Sequence, residues 1–94
     1  MFSGIIETVA TLSHIEEEGS NITFTFASEY THELKIDQSV AHNGVCLTVV
    51  AIDGNEYKVT AIAETLRLTN LGNLKVGDKI NFERCIRMND RLDG

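Results

Sequence analysis

Two side chains able to take part in chemistry, a thiol and a hydroxyl, stand two residues apart in the most apolar stretch of this 94-residue chain. Cys46 and Thr48 lie in the segment 43–49, with the sequence NGVCLTV. Side chains alternate between the faces of a β-strand, so the thiol and the hydroxyl should project from the same face. We expect that face to line a pocket inside a barrel, because small-molecule sites place a few polar groups in an apolar lining.

The remaining candidate groups are scattered along the chain. His42 precedes the turn signal Asn43-Gly44, which favours a structural role over proton transfer. The two cysteines, Cys46 and Cys85, and the three histidines have no zinc-motif spacing, so no metal site is predicted.

The charge balance argues against nucleic acid as a partner. The net charge is −6, from 14 acidic and 8 basic residues, and the first basic residue is Lys35. Non-specific binding to nucleic acid depends on neutralising phosphates, which this acidic chain disfavours. No segment approaches the ~20 apolar residues of a membrane span, and the first residues lack a signal-peptide pattern. We expect a cytoplasmic protein with reduced thiols and no membrane partner.

The hydrophobic pattern is mostly of period two, which is typical of strands. The predicted strands cover residues 5–15, 21–26, 37–42, 45–53, 57–62 and 79–86. Short helices are predicted over 29–34 and 63–70, a turn is predicted at 16–19, and no internal sequence repeat is present. Six short strands with one or two short helices favour an all-β closed barrel.

Four segments in order resemble a known family. They are MFSGIIE at 1–7, SVAHNGVCLTV at 39–49, AETL followed by TNLG within 63–72, and VGDKINFER at 76–84. The chain resembles the N-terminal lumazine-binding barrel of riboflavin synthase, the alpha-type enzyme. It departs from the family at Asp93, where a glycine is usual, and at Cys85, where alanine is more usual.

The resemblance implies an antiparallel six-stranded Greek-key barrel that spans 1–94 as one domain. This would be the N-terminal half of a two-barrel subunit, with the second barrel and a C-terminal trimerising helix outside the sequence. The family converts two molecules of 6,7-dimethyl-8-ribityllumazine into riboflavin and a pyrimidinedione, with no metal or added cofactor. Its site lies between two barrels. The fragment is therefore expected to bind lumazine and riboflavin, to form a homodimer where the full enzyme is a homotrimer, and to have little or no activity.

By resemblance, the catalytic candidates are Ser39, Cys46 and Thr48. Contact with the ligand is favoured over nucleophilic attack for Cys46, because no obvious base lies nearby in the sequence. The residues implied in ligand binding are Gly4, Ile5, Ile6, Ser39, Cys46, Leu47, Thr48, Thr60, Ala61, Ile62, Ala63, Glu64 and Thr65. Each has a plainer interpretation: Ile5 and Ile6 as core, and Glu64 and Thr65 as caps of the helix at 63–70. Phe2 would cover the ring or touch a second barrel.

Two rival functions remain. One is a non-catalytic lumazine- or riboflavin-binding antenna-type protein with the same barrel, which the second half of the sequence would distinguish. The other is an oligonucleotide-binding barrel, which normally carries a basic face and stacking aromatic residues. Six aromatic residues and an acidic surface disfavour it.

Overall fold

A computed structural model of the protein describes residues 8–29 and 31–84. The strands are β1 (Thr8–Glu18), β2 (Asn21–Ala27), β3 (Ser39–His42), β4 (Val45–Asp53), β5 (Glu56–Ala61) and β6 (Lys79–Arg84). One helix, α1 (Ala63–Leu68), and two 3-10 turns (Thr31–Glu33 and Leu71–Asn73) complete the described elements.

The six strands close into a barrel in the order β1-β2-β5-β4-β3-β6, with antiparallel pairing throughout. The predicted all-β closed barrel is therefore confirmed. Closure pairs strand edges that would otherwise be open to another chain. No helix among residues 8–29 and 31–84 combines the length and apolar character needed to cross a bilayer.

The interior of the barrel is filled by inward-facing side chains. Along β1, β4 and β5, buried residues that face the axis alternate with more exposed ones, whereas residues 23–26 of β2 and 40–42 of β3 are buried throughout. The core residues are Ala10, Leu12, Phe24, Phe26, Leu34, Val40, Leu47, Val49, Tyr57, Val59, Ala61, Leu71 and Ile80. Full burial of a large apolar side chain stabilises the fold by about 1.5–3 kcal/mol. Because these side chains fill the interior of the barrel, a ligand site has to lie on another surface.

The barrel is built from two structurally similar halves. The run β1, β2, 3-10 turn, β3 is followed by β4, β5, 3-10 turn, β6, with α1 as an addition in the second run. Matching strands lie side by side, β2 against β5 and β3 against β6, and each of these pairs is antiparallel, as a twofold relation requires. The prediction that the chain has no internal repeat is therefore wrong, and the sequence itself matches at LKI (34–36) and LKV (74–76).

Main-chain hydrogen bonds show how closely the two halves agree. Leu12 N–H donates to Asp78 O at 2.8 Å and Val49 N–H donates to Gln38 O at 2.9 Å. In return, Gly77 N–H donates to Leu12 O and Asp37 N–H donates to Val49 O, both at 2.8 Å. An irregularity in strand pairing follows Leu12 in β1 and Val49 in β4.

Two local predictions are wrong. The acidic run expected as a turn at 16–19 is mostly strand: β1 continues to Glu18, and the turn comes at Gly19, which has φ 63°. Strand geometry is tolerated there because the tip of the β1–β2 hairpin leaves all three glutamates in solvent. The helix predicted over 29–34 is reduced to the single 3-10 turn Thr31–Glu33.

Candidate functional site

The outer face of β4 carries the thiol–hydroxyl pair. Burial alternates along this strand: Leu47 and Val49 are buried, while Cys46, Thr48 and Val50 are exposed. The prediction that Cys46 and Thr48 share a face is confirmed. The expectation that this face lines the inside of the barrel is wrong, because Leu47 and Val49 are the residues that join the core.

β3 borders this face on one side. Ser39 lies directly opposite Thr48, and Ala41 lies directly opposite Cys46. Directly opposed residues in an antiparallel pair have Cβ atoms about 4.5–5.5 Å apart and point to the same side. The structure thus brings together Ser39, Cys46 and Thr48, the three catalytic candidates, on one outer surface with two hydroxyl groups.

The end of β5 borders the face on the other side. Val49 lies opposite Val59, so the chain that continues past Ala61 runs beside the first half of β4. Ile62 follows with 55 % of its surface exposed. The side chains of Leu47 and Ala61 are buried in the core, so these two predicted ligand contacts can offer a ligand only their main chain.

The Thr60 hydroxyl is held by a partner that the sequence did not reveal. Its Oγ1 lies 2.9 Å from Oγ1 of Thr23 on the neighbouring strand β2. Thr23 lies opposite Thr60 and also reaches Oε1 of Glu18 at 3.3 Å. Cross-strand threonine pairs of this kind stabilise sheets, so Thr60 fixes the outer surface of β5 as well as lying near the site.

α1 begins directly after Ile62 and places Ala63, Glu64 and Thr65 at the border of the face. At the C-terminal end of the helix, the Thr69 hydroxyl donates to Thr65 O at 2.8 Å. The capping role considered for Glu64 and Thr65 is not observed, since no side-chain hydrogen bond caps the N-terminal end. Instead, Arg67 donates to Oε1 of Glu64 at 2.8 Å. Both side chains are more than half exposed, and exposed ion pairs contribute little stability.

Cys46 is disulfide-bonded in this structure, so the expected free thiol is not present. A disulfide sulfur carries no thiolate and cannot act as a nucleophile in the manner of a free cysteine. The other cysteine of the sequence, Cys85, lies outside the described residues. The sequence-based expectation of reduced thiols is therefore wrong for Cys46 in this state.

His42 belongs to the core and not to the outer face, which confirms the structural role favoured from the sequence. Its Nδ1–H donates to Val40 O at 3.0 Å, and its Nε2 accepts from the Tyr57 hydroxyl at 2.8 Å. Burial lowers the pKa of His42 to about 4, partly offset by hydrogen bonds with the backbone of Val40 and Val45. Burial also raises the pKa of Tyr57 well above its ordinary value. Neither group can exchange protons with a ligand on the outer face.

Several predicted contacts lie outside the described residues, namely Phe2, Gly4, Ile5 and Ile6. Within residues 8–29 and 31–84, no three histidine, cysteine or acidic side chains are grouped so that they could hold a metal ion. The described face consists of the Ser39 and Thr48 hydroxyls, Cys46, the exposed side chain of Ile62 and the start of α1. Such a surface suits a flat ring with polar edges.

Sequence comparison finds relatives that match the whole chain. The profile of the family described as "Lumazine binding domain" matches residues 3–85. Riboflavin synthase of Escherichia coli (strain K12) is 43 % identical over 96 residues, which cover 100 % of this chain and 45 % of that protein. Riboflavin synthase of Bacillus subtilis (strain 168) is 35 % identical over 95 residues, covering 100 % of this chain and 44 % of that protein. The chain thus spans about half the length of these relatives.

Solved structures share the fold. The crystal structure of LumP complexed with riboflavin has a TM-score of 0.84 and 23 % identity, and the match covers 89 % of this chain and 46 % of that one. LumP complexed with 6,7-dimethyl-8-(1'-D-ribityl) lumazine also has a TM-score of 0.84 and 23 % identity, with coverage of 94 % and 49 %. At this identity the likeness concerns the barrel.

Proposed function

This chain belongs to the lumazine-binding domain family, and we propose that it binds 6,7-dimethyl-8-ribityllumazine and riboflavin on the outer face of β4. The observation that carries the proposal is the clustering of Ser39, Cys46 and Thr48 on one exposed surface, within the part of the chain that the family profile covers. The ligands named for the LumP structures are of the same class.

The face offers complementary groups to such a ligand. A lumazine ring is flat, with polar edges and a polyol chain. The Thr48 and Ser39 hydroxyls can hydrogen-bond the edges, and Ile62 offers apolar surface to the ring. The carboxylate of Glu64, at the border of the face, can accept hydrogen bonds from ribityl hydroxyls.

The longer protein would be a riboflavin synthase, a transferase that exchanges a four-carbon unit between two lumazines. Two stacked substrates need two opposed surfaces, so catalysis rests largely on positioning. In this chain Cys46 and Thr48 are exposed on the outer face of β4, so one barrel could hold one of the two substrates. We infer that this chain turns over slowly or not at all by itself, that two copies pair through this face, and that the full-length enzyme is a trimer in the cytoplasm.

A non-catalytic lumazine- or riboflavin-binding protein is the second candidate function. It is favoured by one observation, that the nucleophile candidate Cys46 is disulfide-bonded and so is not a free thiol. Incubation of the chain with ribityllumazine, followed by chromatography for riboflavin, would distinguish the two. Riboflavin formed above the uncatalysed rate favours the enzyme, and tight binding without product favours the binding protein.

Fluorescence titration tests the ligand site directly. We expect quenching of riboflavin fluorescence by the wild-type chain, and binding weaker by up to about tenfold in Thr48→Val, since one hydrogen bond is worth roughly 1 kcal/mol. The internal similarity of the barrel supplies a matched control, Thr11→Val. Thr11 occupies the equivalent place on β1, opposite Lys79 as Thr48 is opposite Ser39.

The two variants separate a local effect from a general one. Equal weakening by Thr11→Val and Thr48→Val would mean that the barrel is perturbed, and would contradict the placement of the ligand. A folded wild-type chain that binds neither lumazine nor riboflavin would overturn the proposed function. Sedimentation in the presence of riboflavin tests whether two copies of the chain pair. A monomer that is saturated with riboflavin would exclude pairing.

A further inference from the structure

The strand that carries the thiol–hydroxyl pair is held in the sheet along one side only in its first half. β3 and this part of β4 pair with each other up to His42 opposite Val45. Among the described residues, the pairing of β4 with β5 begins at Val49, so the stretch 45–48 has β3 as its one strand neighbour. The position of this stretch therefore depends on what holds the turn between β3 and β4.

Asn43, the first residue of that turn, connects it to β6. Its N–H donates to Asn81 O at 2.9 Å, and its side-chain Oδ1 accepts from Asn81 N–H at 2.7 Å. The pairing of β3 with β6 ends at His42 opposite Phe82, and these two bonds, the Asn43–Asn81 link, extend it by one residue. In a regular antiparallel pair the main-chain carbonyl would accept the second bond. At Asn43 the backbone turns away with φ 51°, and the side-chain oxygen accepts the bond instead.

Asparagine meets both requirements of this position. Residues other than glycine seldom adopt positive φ, and asparagine and aspartate tolerate it best. Gly44 follows with φ 89° and completes a two-residue hairpin turn of the kind that Asn-Gly favours. Asn43→Gly preserves this backbone and loses the acceptor, whereas Asn43→Asp preserves both. The two substitutions thus separate the Asn43–Asn81 link from the turn.

We propose that Asn43 is a positioning residue for the ligand face, which acts through the turn to hold the first half of β4 at a fixed spacing from Ile62. The proposal rests on the proposed function, because it names what orders that same site. Ile62 follows β5 on the side where the stretch 45–48 has no described strand partner, so movement of the turn changes the width of the face. Without the link, a ligand that bridges the two sides has to order the turn as it binds, which lowers its affinity.

Riboflavin titration of three variants tests this role. We expect Asn43→Gly to raise the Kd of riboflavin about three- to tenfold, since one hydrogen bond is worth roughly 1 kcal/mol. Asn43→Asp should restore the affinity to within about twofold of the wild type. Ser13→Ala is the matched control: it removes the 3.1 Å bond from the Ser13 hydroxyl to Thr25 O, between two strands that do not adjoin β3 or β4. It should lower stability and leave Kd unchanged, with circular dichroism confirming that every variant is folded during titration.

Hydrogen exchange of the wild-type chain tests the link without a substitution. Coupling between two sites is reciprocal, so a link that favours binding is itself strengthened by the bound ligand. We expect saturating riboflavin to slow exchange of the Asn81 amide more than that of the Lys75 amide. The Lys75 amide is matched because it also donates to a side-chain oxygen, Asp78 Oδ2 at 2.8 Å, in a turn that is bonded to β1.

The outcomes separate this role from the proposed function. Unchanged Kd in Asn43→Gly, or equal weakening by Asn43→Gly and Asn43→Asp, would overturn the role of Asn43 and leave the proposed function intact. An equal rise of Kd in Ser13→Ala would assign the effect to stability and overturn the role as well. If Asn43→Gly does not fold, equal slowing of exchange at Asn81 and Lys75 overturns it alone. A folded wild-type chain that does not bind riboflavin would overturn the proposed function, and the role of Asn43 with it.

Discussion

The hydroxyl of Tyr57 donates a 2.8 Å hydrogen bond to Nε2 of His42, and both side chains are fully buried inside the barrel. The bond connects β5 with β3, two strands that are not neighbours in the sheet. Phe26 packs against both rings, with centroid distances of 4.9 Å to His42 and 5.7 Å to Tyr57. The pair therefore connects the last residue of β3 to the hydrophobic core.

Removal of the Tyr57 hydroxyl should destabilise the barrel. Tyr57→Phe leaves Nε2 of His42 buried without this donor, and an unsatisfied buried polar group costs about 1–3 kcal/mol. Urea unfolding followed by circular dichroism measures the loss. The double variant His42→Leu/Tyr57→Phe removes both polar groups, so we expect it to recover part of the stability. A single Tyr57→Phe change with unaltered stability would contradict the hydrogen bond.

The buried imidazole should make stability depend on pH. The pKa of His42 is lowered from 6.5 to about 4 in the folded state, so the unfolded state binds the proton first as the pH falls. The neutral His42 therefore contributes to the free energy of unfolding in full above pH 6.5. This contribution declines between pH 6.5 and 4 and is lost below pH 4, a total change of about 3 kcal/mol.

The pH dependence is checked by urea unfolding between pH 7 and 4.5, where the slope should reach about 1.4 kcal/mol per pH unit. The His42→Leu/Tyr57→Phe variant should lack this component, which separates it from the titration of carboxylates. The His42 ring signal in NMR should also remain that of a neutral imidazole at pH 5. A protonated ring at that pH in the folded protein would refute the assignment.

Adjacent valines on β4 test which face is inside. Val49 is fully buried and Val50 is 47 % exposed. Val49→Ala should cost about 2–3 kcal/mol, since it removes buried methyl groups and leaves a cavity. Val50→Ala should change stability by less than about 0.5 kcal/mol. The same substitution on neighbouring residues is its own control, and equal losses in chemical denaturation would reverse the assignment of faces.

The strands and the barrel could be predicted from the sequence, but not whether Cys46 and Thr48 face the inside or the outside of the barrel. Alternation in 45–53 separates Cys46 and Thr48 from Leu47 and Val49, yet every one of these residues is apolar or small enough for either face. The choice is made by packing, because Leu47 and Val49 meet the core residues of other strands. The His42–Tyr57 bond also joins positions far apart in the chain, and single-sequence periodicity carries no information about such pairs.

The internal similarity of the barrel was hidden for a related reason. Equivalent positions share backbone geometry more often than residue type: Asp37 has φ 76° where Gly77 has φ 100°. Lys35 N–H donates to the Gln38 side chain at 2.9 Å, while Lys75 N–H donates to Asp78 Oδ2 at 2.8 Å. The matching sequences LKI (34–36) and LKV (74–76) are too short to stand out, because the residues that close the two turns differ.

The turn at Gly77 should therefore be sensitive to a side chain even though space is available for it. A Cβ added at Gly77 meets no atom within 4 Å, but φ of +100° is strained for any residue other than glycine. We expect Gly77→Ala to lower the free energy of unfolding by about 1–2 kcal/mol. Gly72→Ala is the matched control in the preceding 3-10 turn, where φ is not positive and the space is equally open. It should be neutral or slightly stabilising, because alanine restricts the unfolded chain. Thermal unfolding of the two variants side by side would contradict this account of the turn if Gly77→Ala proved as stable as Gly72→Ala.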